Sequence, residues 1–389
     1  MMPIYPYPKA FRRGNIFRMR RALQKSEIRI AFLGGTNLYA NIDYDRFYEQ
    51  VKKELEEQDD GYLFDSSEKP YVEMNYDRGI PVLIYDEMTQ KFAVSLKEKI
   101  GNVLGQKPEF EILNLEYGGM SSLGGMFHLE ELLAWKPDIV FLDFSMEDPG
   151  EKFHEESSEG LIRALLEEDI AVSLILSCSK KGLGYAGHQK FLALHYNLPV
   201  LDLSLALQDD IQAGKYGESD VYNEDRTFTS KGHEILGDYF TRFIEMIVHV
   251  LPDESYEFPE NPCFLGSLEH FRQHKISISP RTREGSILFD KKLTYNMFFL
   301  QYQMDPEPNN ASLEIYIDKK LVRDLGVHSI LSAQKNVELF IDGHPEPERH
   351  HIQIRTSRQQ RRVNWTYATL HLELGLGSQQ PFSTSDKAR

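Results

Sequence analysis

The sequence predicts an α/β domain with a parallel sheet, followed by a small all-β sandwich domain. The chain has 389 residues, enough at about 150 residues per domain for two domains and the segments that join them. Short apolar runs alternate with amphipathic stretches over residues 28–250, a pattern typical of helices on both faces of a parallel sheet. Beyond residue 280 the apolar residues recur at every second position, which is typical of half-buried strands.

The first predicted domain, residues 28–250, alternates strands with helices. The strands are short apolar runs, predicted at Ile28–Gly34, Phe110–Leu115, Asp138–Phe144, Ala171–Cys178 and Pro199–Leu203. The helices carry apolar residues three and four positions apart and are predicted at Gln90–Leu104, Met126–Trp135, Ser158–Glu168, Gly187–Tyr196 and Ser230–Val250.

Two segments do not follow this alternation. Residues 1–27 form a basic lead-in, which we expect to be a helix folded onto the acidic body of the protein; the alternative is an arm that binds an anionic surface. Residues 44–86 are an acidic, tyrosine-rich insertion, predicted as a helix followed by a long surface loop. Loops of this length tend to be lids or disordered insertions.

The second predicted domain covers residues 281–375. A proline- and glutamate-rich linker, residues 251–280, precedes it, and a polar flexible tail, residues 376–389, follows it. Turn signals at Asp342-Gly343 and Asn309-Asn310 separate the predicted strands. The apolar residues of the alternating segments are Leu313, Ile315, Ile317, Ile352, Ile354, Ala368, Leu370, Leu372 and Leu374.

Composition argues against several classes of function. The formal net charge of −16 repels phosphate backbones, which argues against nucleic acid as a partner. No apolar run approaches the ~18 residues that span a bilayer, and no signal-peptide segment is evident, so we expect a cytoplasmic protein without a membrane span. Cys178 and Cys263 lack the spacing of a disulfide framework or a zinc site. We expect neither cofactor nor metal, because His344, His350 and His351 lie among predicted turn residues where sequence shows no convergent ligand geometry.

The first strand ends in a Gly-Gly-Thr turn at Gly34, Gly35 and Thr36. Ligands of open α/β sheets bind beyond the carboxyl ends of the strands. The turn would place the side chain and backbone N–H of Thr36 at that edge. Taken alone, the motif is equally consistent with a tight turn that needs small residues.

Residues 15–250 resemble the SGNH/GDSL hydrolases, and within that family the bacterial carbohydrate-esterase-like members. The resemblance rests on landmarks in the order of the family, at Asn15–Leu23, Asn114–Gly119, Lys136–Asp148, Glu156–Arg163, His195–Val200 and Thr229–His233. It implies a three-layer αβα domain that hydrolyses esters of carbohydrates. In such proteins a β-sandwich commonly follows the hydrolase domain, as the second predicted domain does here.

The resemblance also implies where the nucleophile and the oxyanion hole would fall. Thr36 takes the position of the nucleophilic serine, and Glu147 that of the asparagine of the oxyanion hole. The glycine of the second block is kept, as Gly118 or Gly119. Loss of an amide donor removes about 3–4 kcal/mol of transition-state stabilisation. An ionised carboxylate ~4 Å from the oxyanion adds roughly 4 kcal/mol of repulsion at an effective dielectric near 20.

The orienter and the base also differ from the family pattern. Glu224 takes the position of the orienting aspartate, and Thr227 that of the catalytic histidine. Thr227 cannot accept a proton near neutral pH, and loss of the base from a comparable triad costs on the order of 10⁶ in rate. A threonine nucleophile also needs an adjacent base.

We therefore expect an SGNH-like protein that is impaired or inactive as an esterase and binds a glycan or an acylated sugar. One alternative is an active carbohydrate acetyl esterase that uses Thr36 with a non-standard base. That base would be drawn from Glu224, Asp225, His233 and His128. Another alternative is an assembly partner that acts through the insertion. His188, His195 and His233 otherwise fit helix packing, and the oligomeric state stays open.

Overall fold

A computed structural model describes the protein at residues 10–35, 97–104, 108–115, 120–148, 152–177, 187–222, 228–250, 253–266, 268–277, 285–303, 311–326, 336–358 and 371–377. These residues form a mainly parallel sheet with helices and a separate antiparallel sheet, which confirms the predicted fold class. The predicted insertion at 44–86 lies outside the described residues.

The first sheet is parallel except at one edge. Its described strands are β1 (Phe11–Arg12), β2 (Glu27–Gly34), β3 (Glu109–Asn114), β4 (Ile139–Asp143), β5 (Ala171–Leu176) and β6 (Val200–Asp202). They lie in the order β1-β6-β5-β4-β2-β3, and β1 pairs antiparallel with β6.

Helices cover both faces of this sheet. The described helices are α1 (Phe17–Ala22), α2 (97–104), α3 (Ser122–Trp135), α4 (Lys152–Glu167), α5 (Gly187–His195), α6 (Leu203–Gln212), α7 (Glu218–Val221) and α8 (Ser230–His249). Alternate residues of β2 enter opposite apolar clusters: Ile30 packs with α1 and α8, and Ala31 packs with α4 and α5. The strands are therefore apolar on both faces, as a three-layer arrangement requires. No described helix is both long and apolar enough to cross a membrane.

The described part of the lead-in, residues 10–27, folds onto the body of the protein, as expected, but it also supplies a strand that was not predicted. Ile16 and Met19 are buried against the first apolar cluster. The Arg12 guanidinium donates to the backbone oxygens of Ala193 (2.6 Å) and Leu198 (2.5 Å). The basic residues thus bind carbonyl groups of the protein itself.

The second sheet is antiparallel. Its described strands are β7 (Arg272–Ser277), β8 (Ile287–Gln303), β9 (Ala311–Ile317), β10 (Lys320–Gly326), β11 (Asn336–Arg358) and β12 (His371–Gly377). They lie in the order β10-β9-β11-β8-β12-β7. The alternating residues Leu313, Ile315, Ile352 and Ile354 are buried in one apolar cluster, as their period of two predicted.

Three local predictions were wrong. The last part of the predicted linker is strand β7, which pairs with β12. Leu203 was predicted to end a strand, but it begins α6 because the Asp202 carboxylate accepts the backbone N–H of Leu205 and caps that helix. Asp342-Gly343 was predicted as a turn, but it lies inside β11, which runs through a bulge there.

The turn between β9 and β10 consists of Asp318 and Lys319. Their φ angles are 50° and 70°, and two positive φ angles are what a two-residue type I′ hairpin loop requires. Aspartate tolerates this conformation better than most residues.

Helix α3 and the second sheet share an apolar cluster. Leu123 and Phe127 of α3 pack with Leu268 and with Phe299 of β8. At the start of α3, the Ser121 hydroxyl donates to Oε2 of Glu338 on β11 (2.6 Å).

Candidate functional site

The carboxyl edge of the first sheet carries the candidate site. From β2 the chain passes to β3 on one side, and from there to β4 on the other side of β2. This reversal opens a crevice between the ends of β2 and β4, which is where ligands bind in open α/β sheets.

Two glycines allow the end of β2 to approach the end of β4. Gly34 has a φ of 155°, and a Cβ atom there would lie 2.1 Å from the carbonyl oxygen of Asp143. The backbone N–H of Gly35 donates to the same oxygen at 2.7 Å. Gly34 requires glycine because the backbone of the neighbouring segment is in direct contact with it.

Glu147 reaches the end of β2. After β4 the chain makes a helical turn in which the N–H groups of Glu147 and Asp148 donate to the carbonyl oxygen of Phe144 (3.1 and 3.0 Å). A Cβ atom on Gly35 would lie 2.8 Å from Cγ of Glu147 and 3.5 Å from the carbonyl oxygen of Met120. The Glu147 side chain therefore lies in the crevice, beside the residue that precedes Thr36.

The described residues share their fold with solved carbohydrate esterases. A two-domain esterase active on acetylated mannans, co-crystallised with mannopentaose, matches with a TM-score of 0.69 and 16% identity over 97% of this chain and 99% of that chain. A second structure of a two-domain esterase active on acetylated mannans gives a TM-score of 0.66 and 18% identity over 95% and 97%. The chain shares the two-domain fold of these esterases. No protein-family model matches the sequence, and no curated protein matches it.

In this two-domain fold, a buried polar network supports the crevice from below. Asp143, at the end of β4, is 1% exposed. Its carboxylate accepts the hydroxyls of Ser145 (3.3 Å) and Ser177 (2.9 Å), and the backbone N–H of Ser177 donates to the Ser145 hydroxyl (2.6 Å). These bonds hold the ends of β4 and β5 together.

A second buried network anchors the turn that carries Glu147. The Asp148 carboxylate accepts the backbone N–H of Ser122 (2.8 Å) and the hydroxyl of Ser158 (3.0 Å). Nε2 of His188 lies 3.4 Å from Asp148 and 3.5 Å from the Ser158 hydroxyl. A catalytic triad uses different ring nitrogens toward the serine and the carboxylate. Here one nitrogen faces both groups, so this set positions the turn and is not a triad.

His233 has the electrostatics of a buried, neutral side chain. Burial lowers the pKa of His233 to about 4. A general base works best when its pKa is near the operating pH, so His233 is a weak candidate for a substitute base. His128 contacts Oε2 of Glu131 (3.4 Å), and His195 contacts the carbonyl oxygen of Asn261 (3.1 Å).

We predict that His233 makes folding stability depend on pH. Its folded pKa of about 4 is below the unfolded value of about 6.5, so its stabilising effect is complete above the unfolded pKa and is lost as the pH falls toward 4. Between pH 8 and pH 5, protonation of His233 in the unfolded state should lower the parent's free energy of unfolding by about 2 kcal/mol. Urea unfolding of His233→Gln should not show this loss. His249→Gln, at the exposed end of α8, is the control. An unchanged pH dependence in His233→Gln would contradict the prediction.

Of the site residues predicted from the resemblance, Glu147 is the one that lies among the described residues. Thr36, Gly118, Gly119, Glu224 and Thr227 lie outside them, so the convergence of the full set stays a prediction.

Sequence reasoning missed Asp143 and Asp148 as supports of the site. A signal was present, because both carboxylates flank the end of an apolar strand that leads to the carboxyl edge.

Proposed function

We propose that this protein binds an acylated glycan at the carboxyl edge of its first sheet and hydrolyses the ester slowly or not at all. The observation that carries the proposal is the position of the Glu147 side chain, whose Cγ lies against Gly35 at the end of β2. A carboxylate in this crevice accepts hydrogen bonds from sugar hydroxyls but donates none when ionised.

Glu147 opposes ester hydrolysis electrostatically. The transition state of acyl transfer places negative charge on the former carbonyl oxygen, which needs hydrogen-bond donors. Glu147 instead places a carboxylate in the turn that follows β4. At an effective dielectric near 20, one carboxylate ~4 Å from the oxyanion costs roughly 4 kcal/mol, or about a thousandfold in rate.

The class of ligand is supported by the fold. The similar two-domain esterases act on acetylated mannans, and one of them was crystallised with mannopentaose. Both sheets of this chain take part in that similarity, which spans 97% of its length.

The test compares turnover with binding. Purified protein should release little acetate from 4-nitrophenyl acetate or acetylated mannan, yet bind acetylated manno-oligosaccharide in calorimetry. Glu147→Gln, which replaces the charged acceptor with a neutral amide, should bind the acetylated sugar several-fold more weakly, whereas Glu131→Gln on α3 should match the parent.

Two results would contradict the proposal. Efficient hydrolysis by the parent that Thr36→Ala abolishes would establish the active esterase. The assembly protein would be favoured if the parent bound no acetylated glycan and if deletion of residues 50–80 abolished its binding to a partner protein.

A further inference from the structure

Three side chains of the metal-ligating type converge on β11. One ring nitrogen of His344, one ring nitrogen of His350 and one carboxylate oxygen of Glu348 lie within 4.8 Å of one another. Nε2 of His350 is 3.8 Å from Oε2 of Glu348. In a tetrahedral site with bonds of about 2.0–2.1 Å, ligand atoms lie roughly 3.4 Å apart. The two imidazole rings are stacked, with centroids 4.4 Å apart and 16° between their planes, so binding of one ion by both requires one ring to change its tilt.

A bulge in β11 brings these residues together. The pairing with β8 shifts between Gly343, which faces Met297, and Glu348, which faces Tyr295. His344 lies at the start of the extra residues, and Glu348 and His350 follow them. Because Glu348 and His350 are two positions apart on a strand, they share one face of the sheet. Bulges commonly re-aim side chains next to functional sites.

A carboxylate fixes the orientation of each imidazole. Nε2–H of His344 donates to Oδ2 of Asp342 (2.8 Å), which also accepts the Tyr295 hydroxyl (2.9 Å). Nδ1–H of His350 donates to Oδ2 of Asp318 (2.8 Å). These bonds leave the other nitrogen of each ring with a lone pair. Metal-binding histidines typically donate their second N–H to a carboxylate in this way.

The free nitrogen of His350 is buried. His350 is 9% exposed, and its Nε2 has no hydrogen-bond partner among the described residues. Buried polar atoms are nearly always satisfied in native proteins, because an unsatisfied one costs free energy. A bound cation would satisfy this nitrogen.

A second cluster of ligand-type residues is a weaker candidate. Glu159, His195 and Cys263 also lie close together. The Glu159 carboxylate, however, already accepts the Tyr196 hydroxyl and the N–H groups of residues 263–265. Four hydrogen bonds occupy the lone-pair positions of a carboxylate, which leaves none for a metal.

We propose that His344, Glu348 and His350 form a site for Zn²⁺ or a related divalent transition metal in the second domain. Two imidazoles and one carboxylate select such ions over Ca²⁺ and Mg²⁺, which prefer oxygen ligands. The fourth position is open to water or to an exogenous ligand. The site is independent of the proposed glycan binding, because it uses none of the residues at the carboxyl edge of the first sheet.

Metal titration of the untagged full-length protein tests this site. Calorimetry should show one Zn²⁺ per chain, and Co²⁺ should give visible bands of a low-coordinate nitrogen and oxygen site. His344→Gln and His350→Gln should each weaken Zn²⁺ binding by at least about 100-fold. Asp318→Asn, which keeps a residue suited to positive φ, should weaken it about 10–100-fold through the orientation of His350.

Matched controls separate this site from other histidines. His351→Gln changes the adjacent residue, which faces Asp290, and His195→Gln changes the second cluster. Both variants should bind Zn²⁺ as the parent does. The proposal is wrong if the parent binds no Zn²⁺ at micromolar concentration, or if His344→Gln and His350→Gln bind it as tightly as the parent.

Discussion

A chain that carries Thr36→Ser, Glu147→Asn, Glu224→Asp and Thr227→His together is expected to hydrolyse a small acetyl ester at least ~10²-fold faster than the triple variant that keeps Glu147. The side chain at 147 lies at the end of β2, against Gly35. Asparagine there offers an N–H donor where the parent offers a carboxylate. The other replacements restore the nucleophile, its orienter and the base that the family resemblance implies.

The four changes must be combined because members of a triad act as a unit, and single replacements leave the others idle. Restored activity should still be well below that of a native esterase, since an error of ~1 Å in placement can cost about a hundredfold. Release of 4-nitrophenol from its acetate measures the rates. Glu131→Asn combined with the other three changes is the matched control. Equal rates for the quadruple and triple variants would show that Glu147 does not lie in the oxyanion hole.

Glu159→Ala is expected to lower the free energy of unfolding by about 3 kcal/mol or more. Glu159 of α4 is fully buried, and its carboxylate accepts the Tyr196 hydroxyl (2.5 Å) and the N–H groups of Cys263 (2.6 Å), Phe264 (2.5 Å) and Leu265 (2.6 Å). Alanine would leave these four donors without their acceptor. It would also release the segment that leads to the second sheet.

The pH dependence of unfolding provides a second readout for Glu159. Burial raises the pKa of this carboxyl group, but the hydrogen bonds from Tyr196 and the backbone N–H groups outweigh burial and lower the pKa below its ordinary value. The stabilisation is therefore present above about pH 4.5 and is lost as the pH falls through the folded pKa. Urea unfolding of the variant should vary less over this acidic range. Glu167→Gln, an exposed position on the same helix, should change stability by less than about 0.5 kcal/mol; a similar loss in both variants would contradict the prediction.

Many of the strands could be predicted because they follow one simple burial pattern. Those of the parallel sheet, such as Ile139–Asp143, are buried on both faces and appear as continuous apolar runs. Those of the second sheet alternate buried and partly buried residues, as in Leu313 and Ile315 around Glu314. Strand β1 was missed because its two residues are too few to show a period.

The candidate site was predictable only in part. The position of Glu147 follows from the rule that strand ends of a parallel sheet meet at one edge. The cluster of His344, Glu348 and His350 does not follow from any such rule, because it depends on a bulge and on the Asp318 turn of a different hairpin. Asp342-Gly343 has the composition of a turn, yet pairing with Phe298 and Met297 keeps it in a strand.

Because α3 and the second sheet share an apolar cluster, neither domain of this protein can be replaced freely by a domain from another protein. Leu123 and Phe127 pack in one cluster with Leu268 and Phe299. Gly124 lies between them, and a Cβ atom there would overlap the Glu338 carboxylate at 1.8 Å. The second sheet therefore packs closely against the first turn of α3. A hydrolase domain from another source would have to present the same glycine and the same pair of apolar residues before it could accept this sheet.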